Sequence, residues 1–354
     1  MSYILPSNKF ELLVCPVISL TNNNSTNTSN KTSNETFLYE KLKNNYKSFF
    51  NNSSCDLYKE NNFEEQLNYL YEKTMDNYNI TNHNYNNSMF YEINEFIIKH
   101  NIFKNNIFKK NNVFIISKNI KEILDALKQN NVEYENYFTF SSFTENFSIN
   151  INQFEHIFDF IFFDILLEEN NCDCYQKFIT SIMVILNYLK KGGKCLFKIN
   201  LEILSNTCDF TYFLSYLFEN IYIIQLESSN STTIFIYCNE LIINEQRIDN
   251  YNKNLIMFFF LLNKLKSSKT NKFISLFQTN IPYFFNTKLN NIKNIILQQK
   301  MEIVYNLNNY FYSNIKSNTA IENINLLQKL KQINTQKIKK TLTWCKKYNV
   351  ACSL

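Results

Sequence analysis

Two ionisable side chains close or interrupt strongly apolar runs of the chain. Asp164 ends Phe158-Asp-Phe-Ile-Phe-Phe-Asp164, and Lys198 sits within Cys195-Leu-Phe-Lys-Ile199. Lysine and carboxylate are side chains that exchange protons with a reacting group when they share a cleft. A lysine in such a run is costly to bury unless it is paired or stands at a strand end. Lys198 therefore either lines a cleft or runs its stem out to the surface, and Asp164 suits a site or a capping role equally. Composition excludes other chemistry. The 2 glycines, Gly192 and Gly193, are adjacent. Neither a GxGxxG nor a GxxxxGK[ST] loop can be written with them, because those loops need spaced glycines to bring amides close to phosphate. Kinases, P-loop NTPases and ordinary Rossmann dehydrogenases are thus poor candidates. The 9 cysteines contain no Cys-x-x-Cys, and His83, His100 and His156 lie far from any cysteine pair. No metal site is expected from these spacings.

The elements that must position Asp164 and Lys198 follow from periodicity. Met89 to His100 carries a helical apolar stripe of Phe90, Ile93, Phe96 and Ile97, which places Glu92 and Glu95 on its solvated side. Val113 to Ser117 reads as a buried strand, followed by a helix from Ile120 to about Gln129. After the strand ending at Asp164, Tyr175 to Lys190 reads as a helix, with Lys191-Gly-Gly-Lys194 as its C-terminal turn. The strand bearing Lys198 follows, then a helix from Asp209, its plausible cap, to Phe218. Strands from Ile221 to Leu226 and from Thr232 to Cys238 have no helix between them. Such alternation predicts a three-layer α/β fold on a parallel sheet, closed by an antiparallel pair.

With 354 residues, 45% of them hydrophobic and 19% charged, the chain can bury a sizeable core. Residues 1–85 form an Asn-rich N-terminal region, with a low-complexity stretch at 21–37 and a moderate helical pattern from Phe63 to Lys73. The total charge of +5 is divided unevenly. From Tyr251 onward there are 16 lysines against two acids, Glu302 and Glu322, a balance of +14 that leaves −9 for the rest. This asymmetry points to an anionic partner for a Lys-rich helical extension over 246–354. Within its helical stretches, Ile321 to Ile333 and Lys337 to Tyr348, the best placed cations are Lys337, Lys339, Lys340, Lys346 and Lys347. The odd cysteine number and the absence of a secretory leader favour a reducing compartment, and no apolar run is long enough to span a membrane. Lys, Asn, Ile, Phe and Tyr are abundant and Arg247 is the only arginine, a bias that follows A/T-rich codons.

Over residues 86–245 this order of elements resembles the FtsJ/RrmJ-type ribose 2′-O-methyltransferases. The resemblance is carried by FDFIFFD, LNYLKKGGKCLFKI, FLSYLFENIYIIQLESSNSTTIFIYC and, more loosely, MFYEINEF. It implies a Rossmann-like S-adenosylmethionine methyltransferase sheet, parallel with an antiparallel last strand. It also implies a Lys-Asp-Lys-Glu catalytic set in which a lysine takes the ribose proton as the hydroxyl attacks the sulfonium methyl. Lys198 matches the central lysine, and Asp164, rather than Asp159, the aspartate. Thr233 stands where the family has glutamate, Phe235 where it has tyrosine, and Glu92 where it has the first lysine, with Lys99 an alternative. The family's glycine-rich cofactor loop is replaced near Ser117 and Lys118 by Ile116-Ser-Lys-Asn-Ile-Lys121. The resemblance thus implies RNA as partner and S-adenosylmethionine as cofactor of an active member. The implied activity is 2′-O-methylation of an mRNA cap or other ribose, impaired by these departures. The alternative is a silent RNA-binding or stimulatory subunit of a viral capping or transcription complex. Large cytoplasmic DNA viruses carry such proteins, so the expected location is the cytoplasm, a virus factory or the virion.

Overall fold

The computed structural model describes residues 2–6, 17–20, 88–103, 111–141, 157–165, 171–201, 204, 208–229, 233–242, 251, 253–255, 271–277, 280–315, 335 and 338–351. In chain order the elements are β1 (Ser2–Leu5), β2 (Val17–Leu20), α1 (Met89–His100), β3 (Asn111–Ile116), α2 (Ile120–Gln129), β4 (Tyr134–Phe140), β5 (Phe158–Ile165) and α3 (Asn171–Tyr188). There follow β6 (Leu189–Asn200), α4 (Cys208–Leu217), β7 (Phe218–Ile224), β8 (Thr233–Leu241), β9 (Asn271–Ser275) and α5 (Tyr283–Ile315). A last helix, α6, covers residues 338–347. The low-complexity stretch at 21–37 and the helices expected over 63–73 and 321–333 lie outside the described residues.

Seven strands form one sheet in the order β1-β7-β8-β6-β5-β3-β4. β4, β3, β5 and β6 are mutually parallel, and β8 enters antiparallel between β6 and β7. The outcome is the expected α/β sheet, parallel through β4, β3, β5 and β6 and closed by the antiparallel β8. β1 was not anticipated. It lies antiparallel along the outer edge of β7, with Ser2 opposite Ile224, and so covers an edge that would otherwise offer unpaired backbone groups. β2 and β9 form a separate antiparallel pair.

The strands are apolar on both faces because helices cover both faces. Ile161, Phe163 and Ile165 of β5 face one core with Phe178 of α3, Phe210 of α4 and Phe285 of α5. Phe160 and Phe162 face the other with Phe96 of α1, Leu127 of α2 and Tyr348 just after α6. Asn takes over the left-handed positions that glycine usually fills: Asn101, Asn131 and Asn349 have φ of 49°, 53° and 50° at or just beyond the ends of α1, α2 and α6. A short amide side chain is the next best occupant of that region, so a chain with 2 glycines still ends its helices sharply.

Two local readings are corrected. The Gly192-Gly193 pair does not cap a helix. α3 ends at Tyr188, Leu189 already pairs with Phe158, and the register jumps so that Lys194 pairs with Phe160, leaving residues 190–193 as a bulge within β6. Gly192 has φ of 75° there, and a Cβ on Gly193 would stand 2.7 Å from the Lys190 carbonyl oxygen, so the bulge itself requires the pair. Asp209, expected as a cap, instead accepts the Leu276 backbone N–H at Oδ2, 2.6 Å away.

His100, at the end of α1, packs among Phe96, Tyr222 and Tyr237, with its buried Nε2 unpartnered among the described residues. Burial first, and the Lys99 charge second, lower its pKa from 6.5 to about 4. The unfolded chain then binds this proton below pH 6.5, but the fold does so only near pH 4. The stability due to the neutral ring is complete above pH 6.5 and is lost as pH falls toward 4. His100→Leu should remove about 1–2 kcal/mol of that acid-side loss, a figure discounted for the ring's partial exposure. Urea unfolding at pH 7 and pH 4.5 checks it, and an unchanged pH dependence would contradict the assignment.

Candidate functional site

From β3 the chain steps outward to β4, then returns across β3 to β5, so the winding reverses between β3 and β5. In open α/β sheets the crevice at the carboxyl ends of the strands at such a reversal is where ligands bind. Ser117 follows the end of β3 and Asp164 lies at the end of β5. Ser117 Oγ donates to Asp164 Oδ2 at 2.9 Å. Asp164 is in register with Lys198 on β6, which is in register with Phe235 on β8. Residues opposite one another share a face, so Ser117, Asp164, Lys198, Phe235 and Thr233 all belong to the face covered by α1 and α2.

Lys198 does not reach solvent; it is 6% exposed. Its Nζ donates to Glu92 Oε2 at 2.6 Å, and Glu92 is 0% exposed. The second oxygen, Oε1, accepts from Ser88 Oγ at 2.9 Å. Ser88 is the N-cap residue of α1 yet makes no side-chain cap bond; its hydroxyl is used on Glu92. The expectation that Glu92 and Glu95 are solvated is therefore overturned, since both are fully buried. The apolar stripe of α1 describes one side of a helix that is enclosed on all sides. Glu95 is satisfied by the β7–β8 turn and by α6. Its carboxylate accepts the Glu227 N–H at 2.9 Å, the Ser228 N–H at 2.9 Å, Ser228 Oγ at 2.8 Å and Trp344 Nε1 at 3.2 Å.

Burial pushes the Asp164 carboxyl upward, opposed first by Lys198 and then by the Ser117 hydrogen bond, Lys177 and Lys118. Asp164 Oδ1 and Asn200 Oδ1 are buried acceptors with no partner among the described residues. Asn200 follows Lys198 by two residues on the same strand face and pairs with Thr233, which is buried. Each of these acceptors has the need that a single water meets. Asp159 and Lys99, the alternatives, lie elsewhere. Asp159 pairs with Lys190 and accepts the Asn112 N–H near the amino end of β5, and Lys99 pairs with Glu95 at 3.7 Å. Sequence reasoning missed Asn200, Ser88 and the role of Glu95, because only the register and the distant turn bring their partners close.

The turn from β3 into α2 decides how S-adenosylmethionine would fit. Ser117 is buried, and its Oγ accepts the Asn119 N–H at 3.1 Å while donating to Asp164. α2 begins at once, at Ile120, and Lys118 is exposed. Every position of this turn carries a side chain, and its first helix-facing amide is already taken. The turn thus lacks the glycine-rich opening that the family resemblance implies for the methionine end of S-adenosylmethionine, and with side chains at each position it does not fit that group. Among the described residues no cluster of three or more His, Cys, Asp or Glu could hold a metal, and no helix is long and apolar enough to cross a membrane.

Of the lysines expected to meet an anion, Lys339, Lys340 and Lys346 are exposed on α6. Lys347, also exposed, donates to Glu227 at 3.0 Å. Lys337 lies outside the described residues. The inner face of α6 docks through Trp344 and Cys345, and beyond its end the Tyr348 carbonyl accepts from Asn94 Nδ2 at 2.8 Å.

No protein-family profile and no curated protein matches the chain. Among solved structures it is similar to human methyltransferase-like protein 13 in complex with SAH, with a TM-score of 0.27 and 9% identity over 49% of this chain and 91% of that one. It is also similar to an S-adenosylmethionine-dependent methyltransferase from Clostridium acetobutylicum, with a TM-score of 0.21 and 14% identity over 55% of this chain and 87% of that one. A third is the plantazolicin methyltransferase BpumL in complex with SAH, with a TM-score of 0.23 and 14% identity over 75% of this chain and 94% of that one.

Proposed function

We propose that this chain is a catalytically silent, FtsJ-like methyltransferase-fold protein that binds RNA through its lysine-rich C-terminal part. It would act as a stimulatory or scaffolding subunit of cytoplasmic, virus-type capping or transcription machinery. The observation that carries the reading is the closed Lys198–Glu92 pair. A base that takes a ribose proton must reach the reacting hydroxyl, and Lys198 Nζ is instead turned into a buried contact with Glu92 Oε2 at 2.6 Å. The filled Ser117–Asn119 turn supports the same reading. Retention of the sheet with loss of open chemistry at its switch point is what a binding subunit needs, because function resides in the site and not in the fold.

Calorimetric titration of the full chain with S-adenosylmethionine should show no binding at micromolar concentrations, and capped or uncapped RNA should gain no methyl group. Binding with a micromolar Kd, or methyl transfer that disappears in Lys198→Ala, would overturn the silent reading in favour of an active 2′-O-methyltransferase. RNA affinity should fall steeply with salt. Lys339→Ala/Lys340→Ala/Lys346→Ala should reduce the salt slope by about 2, at roughly 0.7 per lost single-strand phosphate contact. An affinity that stays flat between low and high salt would leave these lysines as a solvated surface only.

A further inference from the structure

The chain holds 33 Phe and 23 Tyr, and most of the described ones are buried among other rings. Two adjacent ones are not. Tyr283 is 84% exposed and Phe284 is 59% exposed, more than any other large hydrophobic residue described. They open α5, whose next residue, Phe285, is buried with Leu289, Ile292 and Ile296 in the core beneath. Phe285 N–H and Asn286 N–H both bond the Pro282 carbonyl, at 3.0 and 3.2 Å, and Asn286 Oδ1 accepts from Cys208 Sγ at 2.7 Å. The two rings therefore stand on an anchored helix end and not on a loose tip. Phe284, Lys288, Asn291, Ile295 and Gln298 are all exposed at alternating spacings of four and three, which makes one straight outer stripe. No acid occurs on α5 before Glu302.

We propose that Tyr283, Phe284 and Lys288 form a stacking platform for the bases of single-stranded nucleic acid. The inference rests on the reading that the C-terminal part binds RNA, and adds that binding engages bases as well as phosphates. Exposed aromatic faces cost free energy in water, and a single strand offers unstacked bases to cover them. Charge selects the partner. Residues 251–354 carry a balance of +14, and the cation beside the rings is one turn away at Lys288. A protein partner would bury about 800 Å² on this side around a contiguous apolar centre. Here two rings are followed by a lysine and an amide, with the next apolar residue, Ile295, about three turns along.

The test uses the full chain and two labelled strands of about twelve nucleotides, oligouridylate and an abasic strand of equal charge, read by fluorescence anisotropy. Tyr283→Ala/Phe284→Ala should weaken oligouridylate binding by about 10- to 100-fold, leave the abasic strand unaffected and leave the salt slope unchanged. Tyr283→Trp/Phe284→Trp should retain full affinity. Lys288→Ala should weaken both strands and lower the salt slope by about 0.7. If the double alanine variant binds oligouridylate like the parent, or loses both strands equally, stacking is refuted while salt-dependent binding keeps the RNA reading intact. If the parent binds neither strand, both readings fall. Sedimentation that shows a self-associated parent dispersed by the variant, with RNA affinity unchanged, would overturn the proposal in favour of a protein contact.

Discussion

Lys198→Met should lower the free energy of unfolding by about 3–5 kcal/mol at neutral pH, and Glu92→Leu/Lys198→Met should regain most of that loss. Removing one partner of a buried ion pair leaves the other charge uncompensated, whereas removing both replaces a costly pair by apolar volume. Glu92 makes the first effect severe because it is fully buried. After the substitution the Ser88 hydroxyl still donates to it, but a hydroxyl cannot neutralise a carboxylate. Guanidinium unfolding of the parent and both variants at pH 8 reads both effects. A Lys198→Met protein within about 1 kcal/mol of the parent at pH 8 would mean that the lysine is not held by Glu92 but is free for chemistry. The same cycle thus bears on function, since a lysine on which the fold depends as an ammonium is not available as a base.

Asp164 works in the opposite sense. Burial raises its pKa, so folding disfavours its ionised form, and this contribution grows as pH rises through the ordinary carboxylate range. The Ser117 hydrogen bond and the Lys198 charge limit that cost without cancelling it.

The parts of the fold that were legible in the sequence are those dictated by local pattern. Phe158 to Ile165 and Cys195 to Ile199 are nearly unbroken apolar runs because both faces of a central parallel strand are covered, and α2 shows the period of a helix with one buried side. β4 was not legible. Tyr134-Glu-Asn-Tyr-Phe-Thr-Phe140 has neither a continuous apolar run nor strict alternation, and it is a strand because the edge of β3 pairs with it. β1 is four residues long and finds its partner about 220 residues away in β7. Placing Lys198 and Asp164 together needed only the strand order implied by the resemblance. Burying Glu92 and Glu95 needed α6 and the β7–β8 turn. No periodicity within α1 reports elements that lie more than a hundred residues downstream, so its polar residues read as solvated although they are its tertiary contacts.

Glu95→Leu should be as damaging as Lys198→Met, and its effect should appear first at the other end of the chain. The Glu95 carboxylate is the common acceptor for two backbone amides and a hydroxyl of the β7–β8 turn, and for the indole of Trp344. Its removal leaves four donors without that acceptor. At about 1–3 kcal/mol for each donor left unsatisfied, less what water recovers near the surface, a loss of roughly 3–5 kcal/mol follows. Glu95→Gln keeps one acceptor oxygen but turns an amide group toward donors, and should cost less than Glu95→Leu. Trp344 is the only tryptophan of the chain, so its emission reports the docking of α6 alone. In Glu95→Leu that emission should move to longer wavelength as the indole leaves Tyr91 and Tyr348 for water, at denaturant concentrations where far-ultraviolet circular dichroism still shows an intact sheet. RNA binding separates position from charge. With α6 released its lysines remain, so the salt slope should persist while affinity weakens because the cations are no longer held on one surface. An emission spectrum identical to the parent's through the whole unfolding transition would show that Trp344 is held by its ring contacts and not by Glu95.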